Sequence, residues 1–202
     1  MNYKFFKKLF DLNLSIFLLI VLSPVFILVS IYIYFTIGPP IIFKDYRAGL
    51  NGQKFTLYKF RTMSLKKNFQ YDIKDDRKRT LIKTLFLRKT RLDEIPQIFN
   101  IIKGDLSFVG PRPLLLEYNS LYSKKHKIRI SILPGITGWS QVNLYKLNTW
   151  KEKFDYDTWY VKNRSFNLDI KIIYLTIILF FKLILNKKKN NKIFSEKYNG
   201  KN

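Results

Sequence analysis

The sequence predicts an α+β fold: a small, mostly helical cytosolic domain with short strands, an N-terminal re-entrant membrane helix, and interfacial amphipathic helices. Three observations predict it. An uncharged apolar run extends from Leu12 to Ile37, strand-like segments are few and short, and apolar residues recur at helical spacing through much of the remainder. The expected divisions are a membrane helix over residues 1–38, a soluble domain over 39–186 and a basic tail over 187–202.

The apolar run comes first. About 26 helical residues reach roughly 39 Å, enough to cross a hydrocarbon core of about 30 Å. Pro24 sits in the middle of the run, directly after Ser23. Proline removes a backbone donor there and its ring collides with the carbonyl of Ile20, so the helix should bend or break. Each half, Leu12–Leu22 and Val25–Ile37, then spans only about 16–20 Å. Both flanks are basic, with Lys4, Lys7 and Lys8 before the run and Lys44, Arg47, Lys54, Lys59 and Arg61 after it. Lys and Arg favour the cytoplasmic side, and a single crossing leaves one flank misplaced. A helix that enters and leaves the same leaflet satisfies both flanks; an ordinary kinked transmembrane helix is the competing reading. The run is longer than a signal-peptide core and no small-x-small site follows it, so cleavage is not expected.

After the run, Gly38-Pro39-Pro40 punctuates the chain. Ile41-Ile42-Phe43 reads as a strand, Arg47–Gly52 as a turn, and Phe55–Arg61 as a second strand. The charge-rich stretch Lys66–Arg79, with Asp72, Asp75 and Asp76, reads as a solvated helix or loop. Leu81–Leu87 has helical spacing. Ile95, Ile98, Phe99, Ile101 and Ile102 mark one face of another helix, which ends at Lys103-Gly104. Gly110-Pro111-Arg112-Pro113 is a rigid loop, Leu114–Lys127 is expected to be helical, and Leu133–Trp139 is a second constrained loop. Trp150–Val161 is an aromatic, charged helix. Ile172–Phe181 is too short to cross a bilayer and suits an interfacial or core helix. Lys187-Lys188-Lys189 in the tail would favour an anionic leaflet.

Composition narrows the chemistry. The 202 residues carry a formal charge of +23 with 47% hydrophobic residues, which excludes a disordered basic tail. Such a charge faces nucleic acid, an acidic membrane surface or phosphorylated substrates. No cysteine and a single histidine leave no basis for a disulfide framework or a zinc site. That histidine, His126, stands among Lys124, Lys125, Lys127 and Arg129 and is expected at the surface. No nucleic-acid-binding module is visible and the basic residues are spread along the chain, so nucleic acid is not an expected partner.

Asp93-Glu94 is the most informative pair. Thr90-Arg91-Leu92-Asp93 matches a capping box, in which Asp93 would merely start a helix. Pro96 opposes that, because with Thr90 as N-cap it falls beyond the first turn, where proline is costly. A helix beginning near Asp93 puts Pro96 inside the first turn, where it is tolerated. From the residues alone, catalysis and capping both stay open. Lys59 and Arg61 on a strand, Arg88 upstream of the carboxylates, and Arg112 between two prolines suit phosphate.

Three blocks closely resemble one family: Lys59-Phe60-Arg61-Thr62-Met63, Leu92–Asn100, and Lys103-Gly104-Asp105-Leu106-Ser107-Phe108-Val109-Gly110-Pro111-Arg112-Pro113. Pro134–Trp139, Gln141-Val142-Asn143 and Ser23-Pro24 continue the match over nearly the whole chain. The family is the bacterial sugar transferases, and within it the small monotopic phosphoglycosyl transferases. The resemblance implies a membrane helix broken at Ser23-Pro24 and a catalytic domain on the inner leaflet of the bacterial cytoplasmic membrane, against anionic lipids. It implies transfer of a phosphosugar from a UDP-sugar to polyprenyl phosphate, with release of UMP, Mg²⁺ as cofactor, and a covalent intermediate on Asp93. Asp93 would also serve the metal and Glu94 would assist it. Lys59, Arg88 and Arg112 would contact substrate phosphates, and Asp157 would be an acidic position near the site, with Asp155 its rival. UDP-diacetylbacillosamine or another N-acetylated hexosamine is the expected donor. Three positions depart from the family: Arg47-Ala48-Gly49 for Arg-Pro-Gly, Arg91 for Ser, and Leu144-Tyr145 where Gly-Arg is usual. A non-catalytic basic membrane-surface protein is the alternative reading, though it gives no reason for Asp93-Glu94 beside Pro96.

Overall fold

The computed structural model describes residues 3–64, 81–144, 147, 149–185 and 198–200. The expected solvated stretch Lys66–Arg79, Tyr145, Lys146 and the Lys187–Lys189 run lie outside the described residues.

Helix α1 runs from Tyr3 to Ile37 with Pro24 inside it. The break expected at Ser23-Pro24 is not formed: α1 continues through Pro24 as one helix. Ser23 supplies a physical reason: its hydroxyl donates at 2.8 Å to the Ile20 carbonyl, the acceptor left over by the missing proline N–H. Asp11, Ser15, Val29 and Ile33 are buried along one side of α1. Phe17, Ile20, Val21, Ile27, Leu28 and Phe35 are exposed. Among the described residues, α1 alone is long and apolar enough to cross a membrane by length and composition.

Both ends of α1 are docked on the rest of the chain. Near its start, the Tyr3 hydroxyl donates at 2.8 Å to Asp169, and Lys7 lies 3.2 Å from the same carboxylate. Near its end, Val29 and Ile33 pack with Phe60 and Leu87. Arg61 then closes the helix, donating to the carbonyls of Ile37 and Gly38.

Strands β1 (Ile42–Ala48) and β2 (Lys54–Phe60) form an antiparallel hairpin, with Ile42 opposite Phe60 and Ala48 opposite Lys54. β1 is longer than expected, and the turn starts at Gly49 rather than Arg47 because Ala48 still pairs, its N–H donating to Leu114. Helices α2 (Leu85–Lys89) and α3 (Gln97–Lys103) follow. α3 ends as expected, with Gly104 in the left-handed conformation at φ 81°.

Strands β3 (Ser107–Val109) and β4 (Gly135–Thr137) pair in parallel, Ser107 opposite Gly135 and Val109 opposite Thr137. This pairing joins the two glycine-proline loops. Gly110 N–H donates to Thr137 at 2.9 Å and Gly135 N–H to Pro111 at 3.0 Å. A Cβ at Gly135 would overlap the Gly110 amide, and one at Gly138 the Gly110 carbonyl, so only glycine permits this approach.

The helix expected over Leu114–Lys127 is absent. Two short 3₁₀ turns, Leu116–Ser120 and His126–Ile130, stand there. Local pattern yields to tertiary contacts: the Leu114 carbonyl serves Ala48, Asn119 donates to Gly52, and Tyr118 and Tyr122 sink into an aromatic cluster. His126 is likewise not a surface residue. It is buried against Phe154, with a ring nitrogen 3.0 Å from Asp155.

Helix α4 (Trp139–Val142) leads to α5 (Trp150–Asn163), which opens on a Thr149/Glu152 capping box. Helix α6 (Phe166–Leu185) is longer than the expected Ile172–Phe181. Phe166, Ile170, Tyr174, Ile177 and Phe181 stand exposed along it at helical spacing. Tyr198 inserts among Tyr118, Tyr122, Trp150 and Phe154. Its N–H donates to the Tyr118 hydroxyl and its own hydroxyl to the Leu121 carbonyl.

Candidate active site

The carboxylate pair lies on a 3₁₀ turn, Leu92–Glu94, entered through Arg91 in the left-handed conformation at φ 58°. No side-chain cap is made at this turn. Thr90 instead bonds back to the carbonyls of Phe86 and Leu87. The capping-box geometry is therefore not formed. Pro96 occupies the N-cap of α3, where its lost donor costs little.

Asp93 is 9% exposed, and its Oδ1 is buried without a hydrogen-bond partner. Burial and the adjacent Glu94 raise its pKa, while Lys59, Arg91 and Arg88 oppose the rise. Glu94 has the contrary environment. Lys59 Nζ lies 3.2 Å from its Oε1, Arg91 at 3.4 Å and Arg112 at 3.5 Å. Burial pushes Glu94 upward, but Arg112, Lys59 and Arg91 outweigh it and hold the pKa at about 2. Neighbouring carboxyls are thus driven apart: one clamped and ionised, the other buried with an unused oxygen. The like charges do not share a proton between them, because Glu94 is neutralised by cations instead.

Lys59, Asp93, Glu94 and Arg112 are brought together by β2, the 3₁₀ turn and the Gly110–Pro113 loop. Arg88 on α2 is half-buried and acts on Asp93 through charge. Arg61 does not join them, being committed to the end of α1. Asp157 is buried on α5 and reaches Arg112 through an intermediary that sequence reasoning did not single out. Arg129 donates to Asp157 Oδ2 from Nε and Nη2 at 3.1 and 3.0 Å. The same Nη2 donates to the Arg112 carbonyl at 2.8 Å, and Nη1 to the Tyr122 hydroxyl at 2.9 Å. Asp155, the rival position, is engaged with Lys125 and His126.

Lys153 also went unnoticed. It is buried one turn before Asp157, and burial, with help from Arg112 and Arg129, lowers its pKa to about 7 against the pull of Asp157. In a chain this rich in lysine, neither residue type nor spacing separates Arg129 and Lys153 from solvated charges.

Among the described residues no cluster of three metal-ligating side chains occurs. The unpartnered Asp93 oxygen fits a cation that takes most of its ligands from phosphates and water, as Mg²⁺ does.

The bacterial sugar transferase family model matches residues 2–183. The chain is 42% identical over 196 residues to the uncharacterised sugar transferase EpsL of Bacillus subtilis (strain 168), covering 96% of each chain. It is 36% identical over 193 residues to the UDP-glucose:undecaprenyl-phosphate glucose-1-phosphate transferase of Klebsiella pneumoniae, covering 90% of this chain and 41% of that one. The undecaprenyl-phosphate galactose phosphotransferase of Salmonella typhimurium (strain LT2) is 34% identical over 196 residues, 86% of this chain and 40% of its own. The chain thus spans about two fifths of these two longer relatives. A match of this extent, with the carboxylate pair and its basic clamp inside it, places the chain in the bacterial sugar transferase family, as a small phosphoglycosyl transferase related to the undecaprenyl-phosphate sugar-1-phosphate transferases.

Proposed function

We propose that this chain transfers a phosphosugar from a UDP-sugar to polyprenyl phosphate, the first membrane step in building a glycan. The observation that carries the reading is Asp93: a buried carboxylate with an unpartnered oxygen, beside a glutamate fixed by three cations. A carboxylate oxygen of Asp93 attacks the β-phosphorus of the donor. The O–P bond forms as the bridging bond to the α-phosphate breaks, and UMP leaves with the electron pair. An oxygen of polyprenyl phosphate then attacks the same phosphorus, the acyl phosphate bond breaks, and Asp93 returns to a carboxylate. Glu94 holds Lys59 and Arg112 facing the phosphates, and Arg88 adds charge from α2. Asp93 would hold Mg²⁺, and the chemistry that ion would supply is neutralisation of phosphate charge.

The membrane arrangement follows from α1. Docking of both its ends on one body suits a helix that enters and leaves the cytoplasmic leaflet. The exposed apolar stripe of α6 suits the same interface, and a chain lying so would meet the lipid phosphate at low entropic cost. The relatives are named for glucose and galactose. The donor panel therefore holds both, with UDP-diacetylbacillosamine and UDP-N-acetylhexosamines. UMP release from one of these, dependent on Mg²⁺ and reduced to background in Asp93→Asn, is the expected result. Undiminished release by folded Asp93→Asn would overturn the covalent step.

A further inference from the structure

A cavity opens between the β1–β2 hairpin, the start of α3 and the Pro111–Pro113 loop. Arg47, Lys59 and Arg112 face it, Leu57 and Pro113 give it apolar wall, and Gln97 contributes an amide. Gln97 is the unusual member. It is 4% exposed, and its side chain makes no hydrogen bond to any described residue. Buried amides are nearly always paired, and one that instead borders a cavity retains both donor and acceptor capacity for a ligand.

The cations around it are held in place. Arg47 is fixed by Asp45, which takes Nε at 2.8 Å as well as Nη2, leaving Nη1 outside that pair. Lys59 and Arg112 are fixed by Glu94. They form a wall common to the cavity and the carboxylate pair. Three anchored cations against two carboxylates, with apolar surface between, suit an anion that also carries a flat apolar group.

We propose that this cavity is the leaving-group subsite, taking the nucleoside monophosphate half of the donor. Arg47 and Arg112 meet its phosphate, and Gln97 meets a neutral hydrogen-bonding group. The proposal rests on the phosphosugar-transfer reading for the identity of the donor. In that displacement negative charge grows on the departing α-phosphate, and anchored cations there stabilise it without reorganising. Gln97 and Arg47 are then substrate contacts additional to Lys59, Arg88 and Arg112.

UMP is the probe. Its binding to detergent-solubilised full-length protein is measured by calorimetry for wild type, Asp93→Asn, Gln97→Glu, Gln97→Asn and Arg47→Lys, with thermal unfolding alongside. Gln97→Glu sets a carboxylate among the cations. It is expected to weaken UMP at least tenfold while leaving the unfolding temperature unchanged or higher, a combination that simple damage to the core does not produce. Gln97→Asn, which shortens the same amide, and Arg47→Lys are expected to weaken UMP several-fold and to raise KM for the UDP-sugar in proportion. Wild-type affinity for UMP in Gln97→Glu and Arg47→Lys overturns the subsite, even where the wild type turns over. UMP binding by wild type and Asp93→Asn with no turnover on any UDP-sugar counts against the transfer reading and leaves the nucleotide subsite standing.

Discussion

Glu94 and Arg129 show how buried charge is organised at the scale of single residues. Glu94 meets three cations and holds Lys59 and Arg112, while Arg129 meets one carboxylate, holding Asp157 and the backbone of Arg112. Breaking such a buried pair from one side typically costs about 3–5 kcal/mol, because the remaining charge stays buried. Lys153 is a different case, with its charge opposed by burial and by two arginines. Below a pH of about 7 the folded and unfolded states both carry its proton, and the cost of burying the charge is fully present. Above that, the folded lysine sheds its proton while the unfolded one keeps it to the ordinary value of 10.5, so stability rises with pH. Lys59 is lowered by burial too and acts in the same direction. Thermal unfolding between pH 7 and about 9.5, short of tyrosine ionisation, is expected to shift upward. Lys153→Met should flatten that slope and raise the unfolding temperature at neutral pH. An unchanged slope in the variant would remove Lys153 as its source.

Elements owe their positions to contacts that cross long stretches of chain. The Gly110–Pro113 loop is rigid by composition, yet what aims Arg112 is its backbone pairing with Gly135 and Thr137. The 3₁₀ turns after Leu114 are held by aromatic packing rather than by helical bonding. Tyr198 belongs to that packing, and its ring completes the cluster formed by Tyr122 and Phe154, the two rings over which the Arg129 guanidinium lies. Burying an aromatic ring of this size contributes about 2–3 kcal/mol. Tyr198→Ala is therefore expected to lower stability by about that amount in chemical or thermal unfolding, with membrane retention unchanged. Wild-type stability in Tyr198→Ala would show that the ring adds nothing to the cluster.

Among the described residues, apolar side chains stand exposed along both α1 and α6. The two helices differ in kind. α1 carries its charges only before Leu12 and is uncharged from there to Ile37, whereas α6 carries Asp169 turned inward and Lys171 and Lys182 outward. If α6 lies in the membrane surface, its exposed stripe supports attachment that α1 supplies only in part. Replacing Ile170, Ile177 and Phe181 by serine is expected to reduce flotation with anionic vesicles several-fold. The loss should be larger at high salt, where the basic residues no longer compensate. Equal flotation of the triple variant at both salts would confine membrane contact to α1.

Local pattern was enough for much of the fold. Helix α3 begins at Gln97 rather than near Asp93, but the two hairpin strands, the end of α3 at Gly104, the helix of α5 and the apolar α1 follow from periodicity and from proline and glycine stereochemistry. These act within a few residues, so the sequence alone determines them. It also drew attention to Asp93 and Glu94, because Pro96 sits badly with a capping box at Thr90, while catalysis and capping both stayed open on the residues alone. Tertiary structure decided the rest. It made Glu94 a clamped anion and left an Asp93 oxygen unpartnered, joined the two glycine-proline loops, buried His126, and turned an expected helix into aromatic-pinned turns. It also sorted the basic residues, committing Arg61 to the end of α1 and Arg129 to Asp157. In a chain with 37 lysines and arginines, their residue types look alike along the sequence, and only packing separates a buried ion pair from a solvated charge.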